Sequence, residues 1–269
     1  MDFPLTPLAW LQAPALFAHP ADGLAQLHPE NFTEEEPHGP HKDQRLGRQF
    51  EDLICYQLAQ QPHLRLVHRN LALRQGGRTL GELDALLYHL PTRAYWHWEF
   101  TFKHYLGVRK AYWPGPNPKD HFHRKYHHGL AHQFPLMRSS VAQAQLPGPV
   151  AQQHLISRGI LYYPAHEQLP PPQGAASGHL RGLWYSEATL PRHRQYLILP
   201  KPYWLHAQRL LDKTAQWHSA AFVIRTLHQV NSPLLILVKC TTGGLLPAFV
   251  VPNQWLNHVY REEDSTPIG

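Results

Sequence analysis

The segment GELDALLYHLPTRAYWHWEFTFK, residues 81–103, constrains the fold of this chain more than any other. Its aliphatic and aromatic side chains form two runs on either side of PTR, a pattern that predicts two strands joined by a turn. Asp84, Glu99 and Lys103 lie within these runs, where a sheet favours apolar side chains. Because charged groups are rarely buried unless they are paired or bind an ion, these positions require a chemical explanation.

The segments around this hairpin predict an α/β protein. The apolar residues of KDQRLGRQFEDLICYQLAQQ have helical spacing, which predicts a helix with Asp43 as its N-cap. The aliphatic residues of HLRLVHRNLALRQ alternate as in a strand, and GGRT joins this strand to the hairpin. GPNPKDHFHRKYHHGLAHQFP predicts a second helix that begins at Asn117, with Pro118 in its first turn, and HLISRGILYYP predicts a buried strand. Residues 43–165 therefore have the order helix, three strands, helix, strand.

The rest of the chain is predicted to flank this core. TPLAWLQAPALF indicates a short N-terminal helix, and the Pro-, His- and Glu-rich residues 18–42 indicate a surface loop. A loop rich in Pro, Gly and Ser then separates the core from the C-terminal part. In that part, strands are predicted for RQYLILP and PLLILVKC, helices for AQRLLDKTAQW and SAAFVIRTLHQ, and a further extended segment for PAFVVPNQW. The predicted divisions are an N-terminal helix and loop (1–42), the core (43–165) and a mixed α/β extension packed on the core (166–269).

Composition narrows the class of protein. The 269 residues can bury a large core, and the 25 Lys and Arg against 19 Asp and Glu favour a polyanionic partner such as nucleic acid. Two cysteines, Cys55 and Cys240, suggest neither a disulfide framework nor a cysteine-based zinc site. There is no basic n-region of a signal peptide and no apolar run long enough to span a bilayer. We expect a cytoplasmic protein without membrane contact.

The charged residues of the hairpin are predicted to converge. Side chains alternate between the faces of a strand, so Glu99 and Lys103 share a face, and any register with odd-sum residue pairs places Asp84 opposite Glu99 or diagonal to it. Two carboxylates about 4 Å apart repel by roughly 4 kcal/mol at an effective dielectric of about 20. A shared proton, the nearby Lys103 or a divalent cation could offset this repulsion, and a cation with oxygen ligands best explains both acids.

A third acid and several basic residues complete the predicted site. Glu51 lies beside the apolar stripe of the first helix, where packing on the sheet could direct it at the same point. Asp84 and Glu99 would then hold Mg²⁺ or Mn²⁺ for phosphodiester hydrolysis, with Lys103 orienting water or steadying charge. The candidate phosphate ligands lie near the start of the first helix and on the second, and are Arg45, Arg48, Arg124 and Lys125. The alternative is a solvated pair of Glu99 and Lys103, with Asp84 facing water at a strand end.

Several ordered motifs resemble the bacterial family known as domain of unknown function 1853. These are LGRQFEDL, GELDALL, WHWEFTFKHYLG, WPGPNPKDHFHRKYHHGLAHQFPL and FVVPNQW. That family looks like a branch of the PD-(D/E)XK nuclease superfamily. The resemblance implies a restriction-endonuclease-like fold, with the superfamily's roles on Glu51 in the first helix, Asp84 in the second strand, and Glu99 with Lys103 in the third.

One departure from the superfamily pattern supports a second hypothesis. The usual pattern has one residue between the acid and the lysine, whereas EFTFK has three between Glu99 and Lys103. The alternative is therefore a catalytically inactive module that keeps the nuclease fold and binds nucleic acid or a protein.

Other catalytic motifs have no support in the sequence. His128 and His132 have the spacing of a zinc site but no accompanying acid, and HWE lacks the P-C-x-x-C partner of zinc deaminases. No P-loop, G-x-S-x-G or H-E-x-x-H motif occurs, so the sequence does not indicate nucleotide-triphosphate hydrolysis, acyl transfer or zinc proteolysis.

Overall fold

The computed structural model describes residues 3–19, 22–34, 45–109, 112–240 and 243–264. These residues form a mixed α/β fold on one nine-stranded sheet. The strands are β1 (Leu64–Gln75), β2 (Arg78–His89), β3 (Ala94–Leu106), β4 (Val150–Pro164), β5 (Leu180–Ser186), β6 (Gln195–Ile198), β7 (His218–Ser219), β8 (Leu234–Lys239) and β9 (Leu245–Val251). The helices are α1 (Pro7–Gln12), α2 (Leu46–Ala59), α3 (Phe122–His128), α4 (Phe134–Leu136), α5 (Ser140–Gln145), α6 (Ala207–Thr214), α7 (Ala220–Val230) and α8 (Asn253–Asp264).

The sheet has a parallel centre and antiparallel ends, in the order β1-β2-β3-β4-β5-β9-β8-β6-β7. Strands β1 to β3 are antiparallel, β3, β4, β5 and β9 run parallel, and β8, β6 and β7 complete the sheet antiparallel. The pairing of β4 with β5 carries the sheet across the boundary predicted at residue 165. The core and the C-terminal extension therefore share one sheet, while the exact division remains a prediction.

Helix α2 confirms the first predicted helix and packs on β3. Its buried Phe50, Leu53, Ile54 and Leu58 belong to the cluster that contains the β3 residues Trp96, Trp98, Phe100 and Phe102. Each such side chain contributes about 1.5–3 kcal/mol when it is fully buried. The predicted N-cap Asp43 lies outside the described residues, and Arg45 occupies the N-cap position. This packing places the start of α2 beside β3, where the rings of Phe50 and Phe102 have centroids 5.1 Å apart.

The second predicted helix begins later than expected, at Phe122 rather than Asn117. The reason is a closed turn, in which the Asn117 carbonyl accepts from the Asp120 N–H at 3.0 Å and Asn117 Oδ1 accepts from the Lys119 N–H at 3.2 Å. A π-helical segment, Gly129–Gln133, then joins α3 to α4. Such π segments occur mostly as local bulges and frequently at functional sites.

The N-terminal and C-terminal segments agree only partly with expectation. Helix α1 is capped by Thr6, and short 3₁₀ turns at 23–26 and 29–31 interrupt the predicted N-terminal loop. Strands β6 and β8 and helices α6 and α7 appear where they were predicted. The prediction that PAFVVPNQW is one extended segment is wrong, because the chain turns at Pro252 and α8 begins at Asn253. Strand β5 was not predicted, since its short run is interrupted by Gly182.

None of the described helices combines the length and apolar character that crossing a membrane requires.

Candidate functional site

The candidate site lies where β2 and β3 separate. The ladder runs from the pair His89 and Ala94 to the pair Ala85 and Trp98, which is the odd-sum register that the sequence indicated. One step beyond the last pair, Asp84 Oδ2 accepts a hydrogen bond from the backbone N–H of Phe100 at 2.8 Å. The Asp84 carboxylate therefore takes the place of a ladder partner at this point and turns toward Glu99.

Glu99 is held in a buried polar network. Its side chain is 8% exposed, and His97, which is fully buried, places Nε2 2.7 Å from Glu99 Oε1. The amide of Gln133, at the end of the π-helical segment, lies 3.4 Å from Glu99 Oε2. Each oxygen of this carboxyl group thus has a protein donor.

The hydrogen bonds around His97 define its tautomer. Burial lowers the pKa of His97 to about 4, so the ring is neutral near pH 7. Nδ1 of His97 lies 3.4 Å from Nε2 of Gln153, and an amide nitrogen can only donate a hydrogen bond. The same Gln153 nitrogen donates to the Phe134 carbonyl at 2.7 Å. Nδ1 therefore accepts, and Nε2–H donates to Glu99. The network runs from Gln153 through His97 to Glu99.

Three carboxyl groups interact electrostatically at this site. Burial raises the pKa of Asp84 to about 7, and the charge of Glu99 adds to the effect. Burial also raises the pKa of Glu99 to about 7, while Lys125 lowers it. The pKa of Glu51 is raised to about 7 by burial first and by the charge of Asp84 second. The third predicted acid, Glu51, is therefore within electrostatic range of Asp84, which in turn interacts with Glu99.

Glu51 has an unusual hydrogen-bond state. Arg48 Nη1 lies 3.1 Å from Glu51 Oε2 but is not aligned for a hydrogen bond, and this buried oxygen accepts none from the described residues. Buried polar atoms are nearly always satisfied, and here the ion pair with Arg48, which lowers the pKa of Glu51, takes the place of a hydrogen bond. The contact with Arg48 is electrostatic and lies on the solvent side, since that side chain is 45% exposed.

The predicted basic residues are placed differently from one another. Lys103 Nζ lies 2.5 Å from Asp120 Oδ2, and Lys103 is not among the main causes of the pKa shifts of Asp84 and Glu99. Lys125, from α3, lowers the pKa of both acids. Arg45 and Arg124 are exposed, and Arg124 Nη1 donates to the Lys119 carbonyl at 3.2 Å. Lys125 is thus the predicted basic residue whose charge acts on both Asp84 and Glu99.

A narrow cavity of about 20 Å³ adjoins Glu99. Glu99, Thr101 and Lys125 contribute its polar lining, while Phe17 and Phe134 contribute apolar walls. A volume of about 10–15 Å³ on this scale holds one water, so the cavity admits a water or an ion rather than a nucleotide. Phe17 belongs to the N-terminal segment, and the backbone N–H of Phe17 donates to Ser157 Oγ at 3.1 Å. That segment forms one wall of the cavity.

Two carboxyl groups of the site could serve as ligands of a hard divalent cation. As the side chains stand, no three His, Cys, Asp or Glu side chains in the described ranges are arranged to hold an ion. Mg²⁺ usually keeps several waters and uses one or two carboxylates. Asp84 and Glu99 are the two carboxylates that this site could offer to Mg²⁺ or Mn²⁺.

Sequence reasoning missed three members of the network, His97, Gln133 and Gln153. His97 could have been found, because strand alternation puts it on the face of Glu99. Gln133 and Gln153 lie 34 and 56 positions from their partners and carry no motif. Only the packing of the helical segment and β4 against β3 brings them to the site.

The fold and the site define a mixed α/β protein with one buried and two half-buried carboxyl side chains, Glu99, Asp84 and Glu51, where two strands of its sheet part. Residues 2–247 match the family described as Domain of unknown function (DUF1853), and the chain belongs to that family. No curated protein and no solved structure matches the chain.

Proposed function

We propose that the protein is a metal-dependent, nuclease-like phosphodiesterase that acts on nucleic acid. The observation that carries the proposal is the group of Glu51, Asp84 and Glu99, whose pKa values are each raised to about 7. Strongly perturbed acids are concentrated at functional sites. A bound divalent cation favours the ionised carboxylates that burial and mutual repulsion oppose, so metal binding gives these acids a reason to be together.

The proposal includes a restriction-endonuclease-like core of the PD-(D/E)XK kind. It is supported by the order α2, β1, β2, β3, α3, β4 and by the position of Asp84 and Glu99 on adjacent strands. The acid of the first helix, Glu51, lies on the same side of the molecule as these two, as its electrostatic contact with Asp84 requires. Fold alone does not imply activity, so the argument rests on the site.

Each residue of the site has a chemical role in this proposal. Asp84 and Glu99 would hold the cation, and His97 keeps Glu99 oriented through its Nε2–H. When bound, Mg²⁺ or Mn²⁺ would lower the pKa of a coordinated water and polarise a phosphoryl oxygen. Glu51 would take a proton from the attacking water, because its pKa is raised to about 7. Lys125 would stabilise negative charge that develops on the phosphoryl oxygens.

Lys125 replaces Lys103 in the role that the sequence suggested. The Lys103 ammonium is engaged by Asp120, which also accepts from the Tyr105 hydroxyl at 3.3 Å. Lys125 lines the cavity beside Glu99 and acts on the pKa of both acids. We therefore assign Lys103 to holding the turn before α3 and Lys125 to the chemistry.

Calorimetric titration with Mn²⁺ tests the metal site. Wild-type protein is compared with Asp84→Asn/Glu99→Gln, and exposed Glu167→Gln serves as a control that also removes a carboxylate. We expect saturable binding by wild type and the control and none by the double variant, with folding verified by circular dichroism. Equal binding by all three proteins would contradict the proposal. Cleavage of DNA and RNA substrates by the metal-loaded protein then tests the activity.

The second candidate function is a nuclease-fold module that binds nucleic acid, or a protein, without hydrolysis. It is favoured by the engagement of Lys103 with Asp120 and by a cavity too small for a nucleotide. Such a module binds nucleic acid with an affinity that falls with salt and does not change with EDTA. A gel shift that disappears when EDTA is added argues against this alternative.

A cytoplasmic location is part of the proposal. Cys55 and Cys240 are both free thiols, and burial raises the pKa of Cys55 to about 12. Cys55 therefore stays protonated and unreactive at neutral pH. Free thiols are usual in a reducing compartment.

A further inference from the structure

The hairpin formed by β1, β2 and the turn between them is an exposed arm at one edge of the sheet. Residues 74–80, RQGGRTL, are all exposed and make up its tip. Gly76 and Gly77 have φ values of +55° and +79°, as a two-residue type I′ turn requires. The strands therefore stay paired to the end, where Gln75 pairs with Arg78.

The arm is held in place near its tip. The side-chain amide of Gln145, on α5, receives the N–H of Arg74 at 3.1 Å and donates to its carbonyl at 2.8 Å. Leu73 and Leu83 of the arm pack with Met137 and Leu146 in a small apolar cluster. The tip is thus exposed without being loose, and its side chains are presented in a defined place.

The charge of the tip is entirely positive. Arg74 and Arg78 are its two charged residues, and neither side chain makes a salt bridge within the described part of the chain. Arg69, nearer the middle of the arm, differs because its guanidinium lies 2.5 Å from Asp52. Exposed guanidinium groups with no acidic partner suit phosphate oxygens, which they bind in a bidentate manner.

The length of the arm relates its tip to the candidate site. Asp84 lies six positions after Arg78 on β2, which corresponds to about 20 Å at ~3.4 Å per residue. A duplex rises ~3.4 Å per base pair, so about six base pairs span the same distance. A duplex that lies along the arm can therefore contact the tip while a phosphodiester approaches the acids.

We propose that this arm binds B-form duplex DNA, with Arg74 and Arg78 on the phosphates that flank the major groove. A two-stranded ribbon fits that groove, which is about 12 Å wide, whereas the major groove of A-form RNA is too narrow for side chains to read. The inference rests on the proposed function, of which it names the substrate class.

Fluorescence anisotropy with a labelled duplex DNA of about 20 base pairs tests the arm in EDTA, where no cleavage occurs. Arg74→Ala/Arg78→Ala is compared with wild type, and Arg192→Ala/Arg194→Ala removes the same charge from exposed positions next to β6. We expect the slope of log affinity against log salt to fall by about 2 in the arm variant only, since each phosphate contact contributes ~0.9. Wild type should also bind single-stranded DNA and duplex RNA more weakly.

Several results would overturn this assignment. The first is that wild type does not bind duplex DNA. The second is that the salt dependence of affinity is unchanged in the arm variant, or changes equally in the control variant. The third is that wild type binds duplex RNA and duplex DNA with equal affinity. The Asp84→Asn/Glu99→Gln protein separates the two proposals, because we expect it to bind no Mn²⁺ but still to bind duplex DNA through the arm in EDTA. If wild type binds duplex through the arm but neither binds Mn²⁺ nor cleaves DNA, hydrolysis is refuted and the arm assignment stands.

Discussion

At the scale of single residues, the site depends on how each carboxyl oxygen is occupied. Glu99 has a donor on both oxygens, from His97 and Gln133, and Asp84 accepts the N–H of Phe100. Glu51 Oε2 accepts no hydrogen bond within the described part of the chain and is ion-paired with Arg48 instead. The acids therefore differ in how they are held, with Glu99 fixed by hydrogen bonds on both oxygens and Glu51 held by the charge of Arg48.

Removing the His97 side chain should release Glu99. In His97→Ala, Glu99 Oε1 loses its donor, so we expect a stability loss of about 1–3 kcal/mol and weaker Mn²⁺ binding. His97→Gln should recover part of the Mn²⁺ affinity, because its amide can donate to the same oxygen. Calorimetry and urea unfolding measure both effects. Mn²⁺ affinity that is the same in wild type and both variants would argue against orientation of Glu99 by His97.

Charge substitution should distinguish the two lysines. Lys125 lowers the pKa of Asp84 and Glu99, so Lys125→Ala should raise both values and weaken Mn²⁺ binding at pH 7 more than at pH 9. Lys103→Ala is the matched control and should leave the pH dependence unchanged, because its ammonium is paired with Asp120. Mn²⁺ titrations across this pH range decide between them. If Lys103→Ala changes the pH dependence of Mn²⁺ binding more than Lys125→Ala does, Lys103 rather than Lys125 is the catalytic lysine.

The raised pKa values also make stability depend on pH with a definite sign. The carboxyl groups of Glu51, Asp84 and Glu99 hold their protons more tightly when folded, so their stabilising contribution is full below about pH 4 and is lost as pH rises through about 7. We expect Asp84→Asn/Glu99→Gln to exceed wild type by on the order of 2 kcal/mol at pH 8, in metal-free urea unfolding. An equal difference at pH 4 would disprove the electrostatic origin. His97 titrates in the opposite sense, but it is present in both proteins.

At the scale of elements, close packing between the hairpin and the helical segment positions Gln133. A Cβ at Gly81 would lie 2.4 Å from Leu136 Cδ2 and 3.0 Å from Gln133 Oε1. Gln133 also donates to the Glu82 carbonyl at 3.1 Å, which ties the π-helical segment to β2. The absence of a side chain at Gly81 is therefore what allows this segment to reach Glu99.

Two glycine substitutions should have opposite effects. Gly81→Ala forces the ends of the Leu136 and Gln133 side chains to shift, and we expect a loss of about 1 kcal/mol with weaker Mn²⁺ binding. Gly47→Ala, inside α2 with nothing within 4 Å of the added Cβ, should stabilise the protein by up to about 1 kcal/mol. Urea unfolding of both variants measures the difference. A neutral Gly81→Ala would show that the segment adjusts without strain.

At the scale of the whole molecule, the N-terminal segment joins the parts of the fold. Trp10 is fully buried, and its indole N–H donates to the Trp204 carbonyl at 3.0 Å. The buried guanidinium of Arg158, on β4, donates to the Leu11 carbonyl at 3.0 Å and lies 3.3 Å from Asp22 Oδ2. The segment thus contacts both the core strands and the C-terminal part of the chain.

This arrangement should make unfolding cooperative across the three predicted divisions. We expect one calorimetric transition with equal calorimetric and van't Hoff enthalpies. Trp10→Ala should lower stability by about 3–5 kcal/mol, because it empties a buried site between the two parts. Two separate transitions in wild type would show that residues 43–165 and 166–269 are independent domains.

The sequence by itself determined the features that depend on local pattern. Apolar spacing predicted α2 and alternation predicted the hairpin. Alternation also predicted that Asp84 meets Glu99 in any odd-sum register, and the structure has such a register. These features follow from periods of 3.6 and 2, which neighbouring residues carry without reference to the rest of the chain. Glu51 could be predicted for the same reason, since its helix must pack an apolar face on the sheet.

Only the tertiary structure decided which groups surround those acids. The pairing of Lys103 with Asp120 depends on a turn that delays α3, and Lys125 acts on the site because α3 packs near the place where β2 and β3 part. Gln153 and the wall formed by Phe17 come from segments far away in sequence. Such contacts arise when separate elements bury their apolar faces together, and no local period records them.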